Sequence, residues 1–259
     1  MLQAREVEET IRRCEIAGIG RGLAAARRLM PETGVISIEI GGGLAAFAGV
    51  DSPFSQVYGI VGPVGADDVA TITAFYETRQ ATPRVFVSPL SDASLARELA
   101  AVGYAPCEYE NVLASDSFGT YAVYDERIGI ASDLDAWAVA STQAFTGRDS
   151  PGPADLAVAR VLAHSEGVYP TEALADGTIV ATAAMALEDG CATFFAGSTL
   201  PAFRGCGWHT ALIRDRIARA HDGGARLMRA TARPLSVSER HFIRCGFQVL
   251  YTRALWERR

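Results

Sequence analysis

The sequence predicts a mixed α/β fold with twisted sheets, built twice in tandem. Strands and helices alternate along its 259 residues, one strand, helix and strand unit occurs in both halves, and the hydrophobic share of 49% suffices for two cores. The two copies are residues 83–113 and 226–256, at an offset of 143 with no gap, so that Gly103-Tyr104 falls on Gly246-Phe247. In each, a short apolar strand leads to a polar turn, a helix of about ten residues, a Gly-aromatic pair and a closing strand. The Gly stands where a helix ends in a left-handed cap. The polar run Ser115-Asp116-Ser117 then divides the chain into domains at residues 1–115 and 116–259.

Upstream of the first copy, helical periodicity runs to about Met30. Strands are expected over residues 35–40, 44–50 and 55–61, then a helix over 67–79. The second half has helices over 134–145 and 154–164, the latter opened by Pro153, which suits a first helical turn. Strands over 168–174, 178–187 and 191–200 follow, and Glu188-Asp189-Gly190 forms the reversal between the last two.

Composition removes several function classes. The net charge of −6 gives no basic face for a phosphate backbone, so nucleic acid is not an expected partner. Five scattered cysteines without a Cys-x-x-Cys pair read as reduced thiols of a cytoplasmic protein. The four histidines show no metal-ligand spacing, so no metal is expected. No apolar run is long enough to span a membrane.

The stretch richest in chemistry is Thr199-Leu200-Pro201-Ala202-Phe203-Arg204-Gly205-Cys206-Gly207-Trp208-His209-Thr210, between a strand and a helix. A helix N-terminus offers N–H groups without intrahelical partners and the positive end of the dipole, and so accepts an anion. Gly205 and Gly207 remove side chains that would hold a phosphate off the main chain, and Arg204 adds a permanent charge. Beyond the loop, Ile213, Ile217 and Ala220 form an apolar stripe, with Trp208 as a core anchor and Arg214, Arg216 and Arg219 as a solvated face.

This loop resembles motif A of the GCN5-related N-acetyltransferase (GNAT) superfamily, Arg/Gln-x-x-Gly-x-Gly/Ala. Arg204 and Gly207 match its first two positions, while His209 stands where the family has Gly or Ala. The resemblance covers residues 118–259, and more weakly the first half. It implies two tandem GNAT-like acyl-CoA acyltransferase domains, the second binding acetyl-CoA and the first degenerate. Ser198, Thr199 and Leu200 would pair with pantetheine amides. Arg204, Gly205, Cys206, Gly207, Trp208, His209 and Thr210 would surround the pyrophosphate. At the offset of 143, Val61 replaces Arg204, Pro63 removes a donor, Val64 replaces Gly207, and Asp67 and Asp68 bring two carboxylates. The first half is therefore expected to be silent towards CoA, and to shape the acceptor cleft.

The implied reaction is direct transfer of an acetyl group to an amine, small molecule or peptide, in a ternary complex. The catalytic residues stay open. The family often places a Tyr four residues before the Gly-Phe pair as acid to the leaving thiolate, and here that position is Phe242. Ser238, His241 or water is left to give the proton, and Glu172 or Glu166 to take one, although both carboxylates also read as surface or turn residues. His209 reads as a packing or phosphate contact rather than a base. A homodimer is compatible with this reading. The alternative is a non-catalytic acyl-CoA-binding or sensing protein, and a purely structural module would bind no cofactor.

Overall fold

A computed structural model describes residues 4–258. In chain order the elements are α1 (Ala4–Leu29), β1 (Ile36–Ile40), β2 (Gly43–Phe47), β3 (Val57–Tyr58), α2 (Ala66–Glu77), β4 (Arg84–Val87), α3 (Ala93–Ala101) and β5 (Tyr104–Ser115). They continue with β6 (Ile128–Ile130), α4 (Leu134–Thr146), α5 (Pro153–Ala163), β7 (Val168–Ala175), β8 (Thr178–Glu188) and β9 (Cys191–Thr199). After a short turn at Pro201–Phe203 come α6 (Trp208–Asp222), β10 (Leu227–Ala232), α7 (Val237–Arg244) and β11 (Gln248–Arg258).

The repeat is present as read: β4-α3-β5 and β10-α7-β11 are its two copies, with Gly103 and Gly246 at φ of 88° and 85° after the two helices. The strand expected over 55–61 is shorter because Gly59 turns to φ of 68° after Tyr58 and ends it. β6 is an addition that the sequence pattern did not signal.

By packing, the described chain forms two compact units that are not contiguous in sequence. The N-terminal unit holds residues 15–112 and 251–258, with strand order β1-β2-β3-β4-β11-β5. Here β11, from the second copy of the repeat, pairs antiparallel with β4 of the first, from Ala254↔Val87 to Glu257↔Arg84. Arg253 anchors it, buried between Glu15 and Glu110 at 2.7 Å from each and stacked on Phe86. The core of this unit gathers Ile60, Ile72, Tyr76, Leu95 and Leu99.

The C-terminal unit holds residues 4–14 and 113–250, with β10, β9, β8, β7 and β6 in that order outward from the end of β5. α4 starts where Asp133 accepts hydrogen bonds from the N–H groups of Asp135 and Ala136, and stops at Gly147 with φ of 69°. α7 starts where Ser236 accepts from the Glu239 N–H. α6 buries the predicted stripe completely: Ile213, Ile217 and Ala220 pack with Phe194, Met228, Phe242 and Phe247. Each such large apolar side chain stabilises the unit by about 1.5–3 kcal/mol when fully buried. No described helix is long and apolar enough to cross a membrane.

Candidate active site

The site lies in the C-terminal unit, where β9 parts from β10 while staying paired with β8. β9 and β10 pair in parallel from Leu227↔Cys191 to Ala230↔Phe194, and the ladder ends there. On its other side β9 carries a bulge against β8: the register passes from Ala184↔Phe195 to Thr182↔Ser198, and Ala196 takes a φ of 52°. A bulge inserts an unpaired residue and bends its strand, so the last residues of β9 part from β10 while Ser198 and Thr199 stay paired with β8. The Thr182 and Ser198 hydroxyls, 2.8 Å apart, close the far side of the bulge. Beside this open strand end is a cleft of about 650 Å³, lined among others by Gly197, Ser198, Thr199, Arg204, Gly207 and His209.

The loop that follows forms the cleft's polar end. Gly205 and Gly207 have φ of 79° and 85°, and nothing lies within 4 Å of where a Cβ would stand at either. Both positions thus require the left-handed region, which glycine occupies without cost. Gly207 is the N-cap of α6 and no side chain caps the helix, so its first-turn N–H groups face outward with the positive end of the dipole. Arg204 is exposed and lines the cleft, with two of its guanidinium nitrogens engaged by main-chain carbonyls. Its Nε donates to the Thr199 carbonyl (3.2 Å) and its Nη2 to the Ala144 carbonyl (2.9 Å), tying the loop to β9 and to the end of α4.

The remaining cofactor candidates divide. Ser198, Thr199, Gly205, Trp208 and His209 line the cleft with Gly207 and Arg204. Thr210 borders a smaller hollow of about 400 Å³ on the other side of Gly207, together with Tyr124 and Arg214. Cys206 is exposed, its thiol directed to the Arg204 carbonyl. Leu200 lies outside the lining: its N–H donates to the Val180 carbonyl and its own carbonyl accepts from Phe203. Trp208 is largely buried against Val180, Ala183 and Leu212, as an anchor should be.

Behind the glycines lies a histidine cluster. The His209 and His241 rings are 5.2 Å apart, His209 Nε2 lies 3.5 Å from Ser238 Oγ, and His241 Nδ1 lies 2.7 Å from Thr210 Oγ1. Burial, then the charges of Arg216 and of His241, push the His209 imidazole down to about 4, so it is neutral at physiological pH. His241 is lowered as well, by burial and by Arg244 and Arg240. Gly197 suits this packing: a Cβ there would stand 3.1 Å from His209 Cε1, a tight contact that the ring would have to ease.

Of the catalytic candidates, Ser238 and His241 line the cleft and Glu172 does not. Glu172 is a correction to the surface reading. It is buried on β7, where burial raises its carboxyl above the usual range, the Ser132 N–H donates to it, and Oε2 has no partner. Glu166 is exposed in the turn before β7. Phe242, in the position of the family's tyrosine, packs edge-on against Phe247 at 5.0 Å inside the core.

The helix-face reading of α6 also needs correction. Arg214 is exposed, but Arg219 is paired with the buried Asp215 and Arg216 is wholly buried. Sequence reasoning missed Arg216, although it stands four residues after Leu212 and four before Ala220, both on the buried side of the helix.

No protein-family model matches the sequence, and no curated protein matches it. Solved structures match by shape. A GCN5-related N-acetyltransferase from Kribbella flavida superposes with a TM-score of 0.64 at 16% identity, over 92% of this chain and 95% of its own. A tandem GNAT protein from the clavulanic acid biosynthesis pathway gives 0.62 at 14% identity, over 84% and 78%. An acetyltransferase of the GNAT family from Colwellia psychrerythraea gives 0.55 at 13% identity, over 86% and 84%. At these identities the likeness establishes the fold.

Proposed function

We propose that this chain, whose fold is that of the GCN5-related N-acetyltransferases, is an acetyltransferase that carries an acetyl group from acetyl-CoA directly to an amine. The observation that carries this reading is the meeting of a strand end parted from β10 and an uncapped helix N-terminus, with two left-handed glycines, at one cleft. A diphosphate fits that loop because no Cβ separates it from the N–H groups of α6. The residues after the β9 bulge offer main-chain groups to pantetheine amides. Acetyl-CoA supplies an activated thioester. The chain's part is to hold the carbonyl and the amine together and to direct main-chain N–H groups at the carbonyl oxygen.

Arg204 serves this site by fixing the loop rather than by meeting phosphate, since both its hydrogen bonds go to main-chain carbonyls. Ser238 is the proton donor within reach of the cleft, with His241 beside it, because Phe242 has no proton to give. The acceptor is a small molecule or peptide amine, and the setting is the cytoplasm. The chain carries the fold twice, with one working site, in the second copy.

A second reading, an acyl-CoA sensor without turnover, draws on two observations: Phe242 in the core, and a cleft lined by no carboxylate. Calorimetry with acetyl-CoA followed by thiol-release assays on panels of amines decides between them. Acetylation of any amine at the expense of acetyl-CoA supports the transferase. Tight binding with no turnover supports the sensor, and absence of binding overturns both.

A further inference from the structure

Arg216, in the middle of α6, has no solvent exposure, and its guanidinium is built into the β9 bulge. Nε donates to the Leu212 carbonyl (3.0 Å), and Nη1 to the carbonyls of Ala184 (3.1 Å) and Phe195 (3.4 Å). Ala184 and Phe195 are the last regular pair before the register shifts, so one side chain holds both strands where the bulge begins. The guanidinium lies over the Phe194 ring at 4.8 Å. Nη2 has no hydrogen-bond partner. A Cβ on Gly197 would stand 3.6 Å from it, and Gly197 is part of the cleft wall.

This charge is poorly compensated. Asp215, which offsets it in part, is itself buried and accepts two hydrogen bonds from Arg219, at 2.6 and 3.2 Å. Burial lowers the Arg216 guanidinium to about 9, which leaves it charged at neutral pH. A buried cation without a dedicated anion is costly, and an apolar side chain of similar volume would fill the same space at less cost. The histidines in front of it bring no anion.

We propose that Arg216 is a positioning residue whose incompletely compensated charge, behind the cleft wall at Gly197, stabilises the negative charge that acyl transfer places on the departing CoA sulfur. This rests on the transferase reading above. In that reaction the amine nitrogen bonds to the carbonyl carbon, the C–S bond breaks with its electron pair on sulfur, the amine's proton passes to the solvent, and the sulfur takes a proton from Ser238, itself resupplied by solvent, only after that charge has developed. Arg216 touches neither reactant and exchanges no proton. A low-dielectric wall makes its charge felt over that distance.

The test compares CoA with acetyl-CoA, which has no thiol to ionise, by calorimetry between pH 6.5 and 8.5. In the natural protein the affinity for CoA should rise relative to that for acetyl-CoA as pH climbs through this range, by a factor that approaches about tenfold per unit of lowered thiol pKa only once the pH exceeds the free thiol's own pKa. Arg216→Gln should lose that gain and keep its acetyl-CoA affinity. No relative gain in the natural protein, or an equal gain in a folded Arg216→Gln, overturns the proposal. Should Arg216→Gln not fold, Arg216→Met, uncharged and of similar volume, takes its place, and an equal gain in it overturns the proposal.

The same variants are read without cofactor through the His209 imidazole by NMR titration. His209 is faced by Arg216 on its own helix and by Ser238 and His241 on α7, with Arg240 and Arg244 acting on His241. Removing the Arg216 charge should raise the His209 pKa, and an unmoved pKa overturns the proposal. If the natural protein binds neither CoA nor acetyl-CoA, the functional reading falls, and this titration alone decides whether the charge reaches the cleft.

Discussion

Two loops hold the same place in the two copies of the fold, and they treat their main-chain N–H groups in opposite ways. Before α2, Val61 and Gly62 donate to the Gly41 carbonyl, Val64 donates to Ser94 Oγ, Gly65 donates to Asp68 Oδ2, and Pro63 has no N–H. Val64 is buried in the core of its unit. Before α6, Gly205 and Gly207 adopt positive φ in open space and the helix starts uncapped. The strands differ likewise: β3 has two residues, whereas β9 has nine and a bulge. The contrast teaches that this fold does not by itself make an anion site. The site exists where N–H groups are left without internal partners, and disappears where a carboxylate, a hydroxyl and a main-chain carbonyl take them up.

The most forceful way to break this comparison is to give the second loop the residue of the first. Gly207→Val puts a branched side chain at a φ of 85°, between a phosphate and the helix N–H groups. CoA affinity should fall about a hundredfold, or ~2.7 kcal/mol. The left-handed backbone adds a stability cost of about 1–2 kcal/mol. Calorimetry on the folded variant checks both parts, and an unchanged Kd would remove the diphosphate from this loop.

The second variant probes a position where the copies agree. At the offset of 143, Phe242 corresponds to Leu99, and both are core residues of their units. Phe242→Tyr would bury a hydroxyl among Phe247, Phe194 and their neighbours at a cost of about 1–3 kcal/mol. Denaturant unfolding should show that loss with the protein still folded. Restored or increased turnover with no loss of stability would instead mean that the ring edge reaches the cleft.

How much of this was visible beforehand follows from what each feature depends on. The repeat, the positions of α6 and β9 and the glycine loop are local patterns, and local periodicity and turn chemistry encode them. The pairing of β11 with β4 depends on contacts some 170 residues apart, which no local pattern records. Glu172 looked like a surface residue because its type usually is one, and only the folded β7 shows it buried with the Ser132 N–H donating to it. Arg216 carried a signal, its place on the apolar side of α6 between Leu212 and Ala220, which residue type outweighed. The clamping role of Arg204 had none, since the loop's path alone brings it to the Ala144 carbonyl.

Acid should separate the copies further. His209 corresponds to Ala66, which does not titrate. The folded-state pKa of His209, about 4, is below its ordinary 6.5, so the unfolded chain binds more protons between these values. The stability that this group contributes is therefore complete above pH 6.5 and is lost as pH falls towards 4. His209→Asn should flatten that part of the stability profile, as measured by urea unfolding at a series of pH values. An equally steep profile in the variant would place the acid sensitivity elsewhere.

The smallest expected effect is a null on the cofactor, and it bears on the first copy alone. Asp68 accepts the Gly65 N–H at 2.8 Å and so closes the start of α2 with its own carboxylate. Asp68→Ala removes this cap and one negative charge from a helix N-terminus, both of which stabilise the helix. Unfolding should register a loss of about 0.5–2 kcal/mol. CoA affinity should not move, because the remaining loop stays closed through Val64 and Ser94, and because the second copy holds the only site proposed. Titration should accordingly give one CoA per chain before and after the change. A second equivalent appearing in the variant would show that a single carboxylate had been masking an anion site in the first copy, and the two loops would then differ by charge rather than by closure.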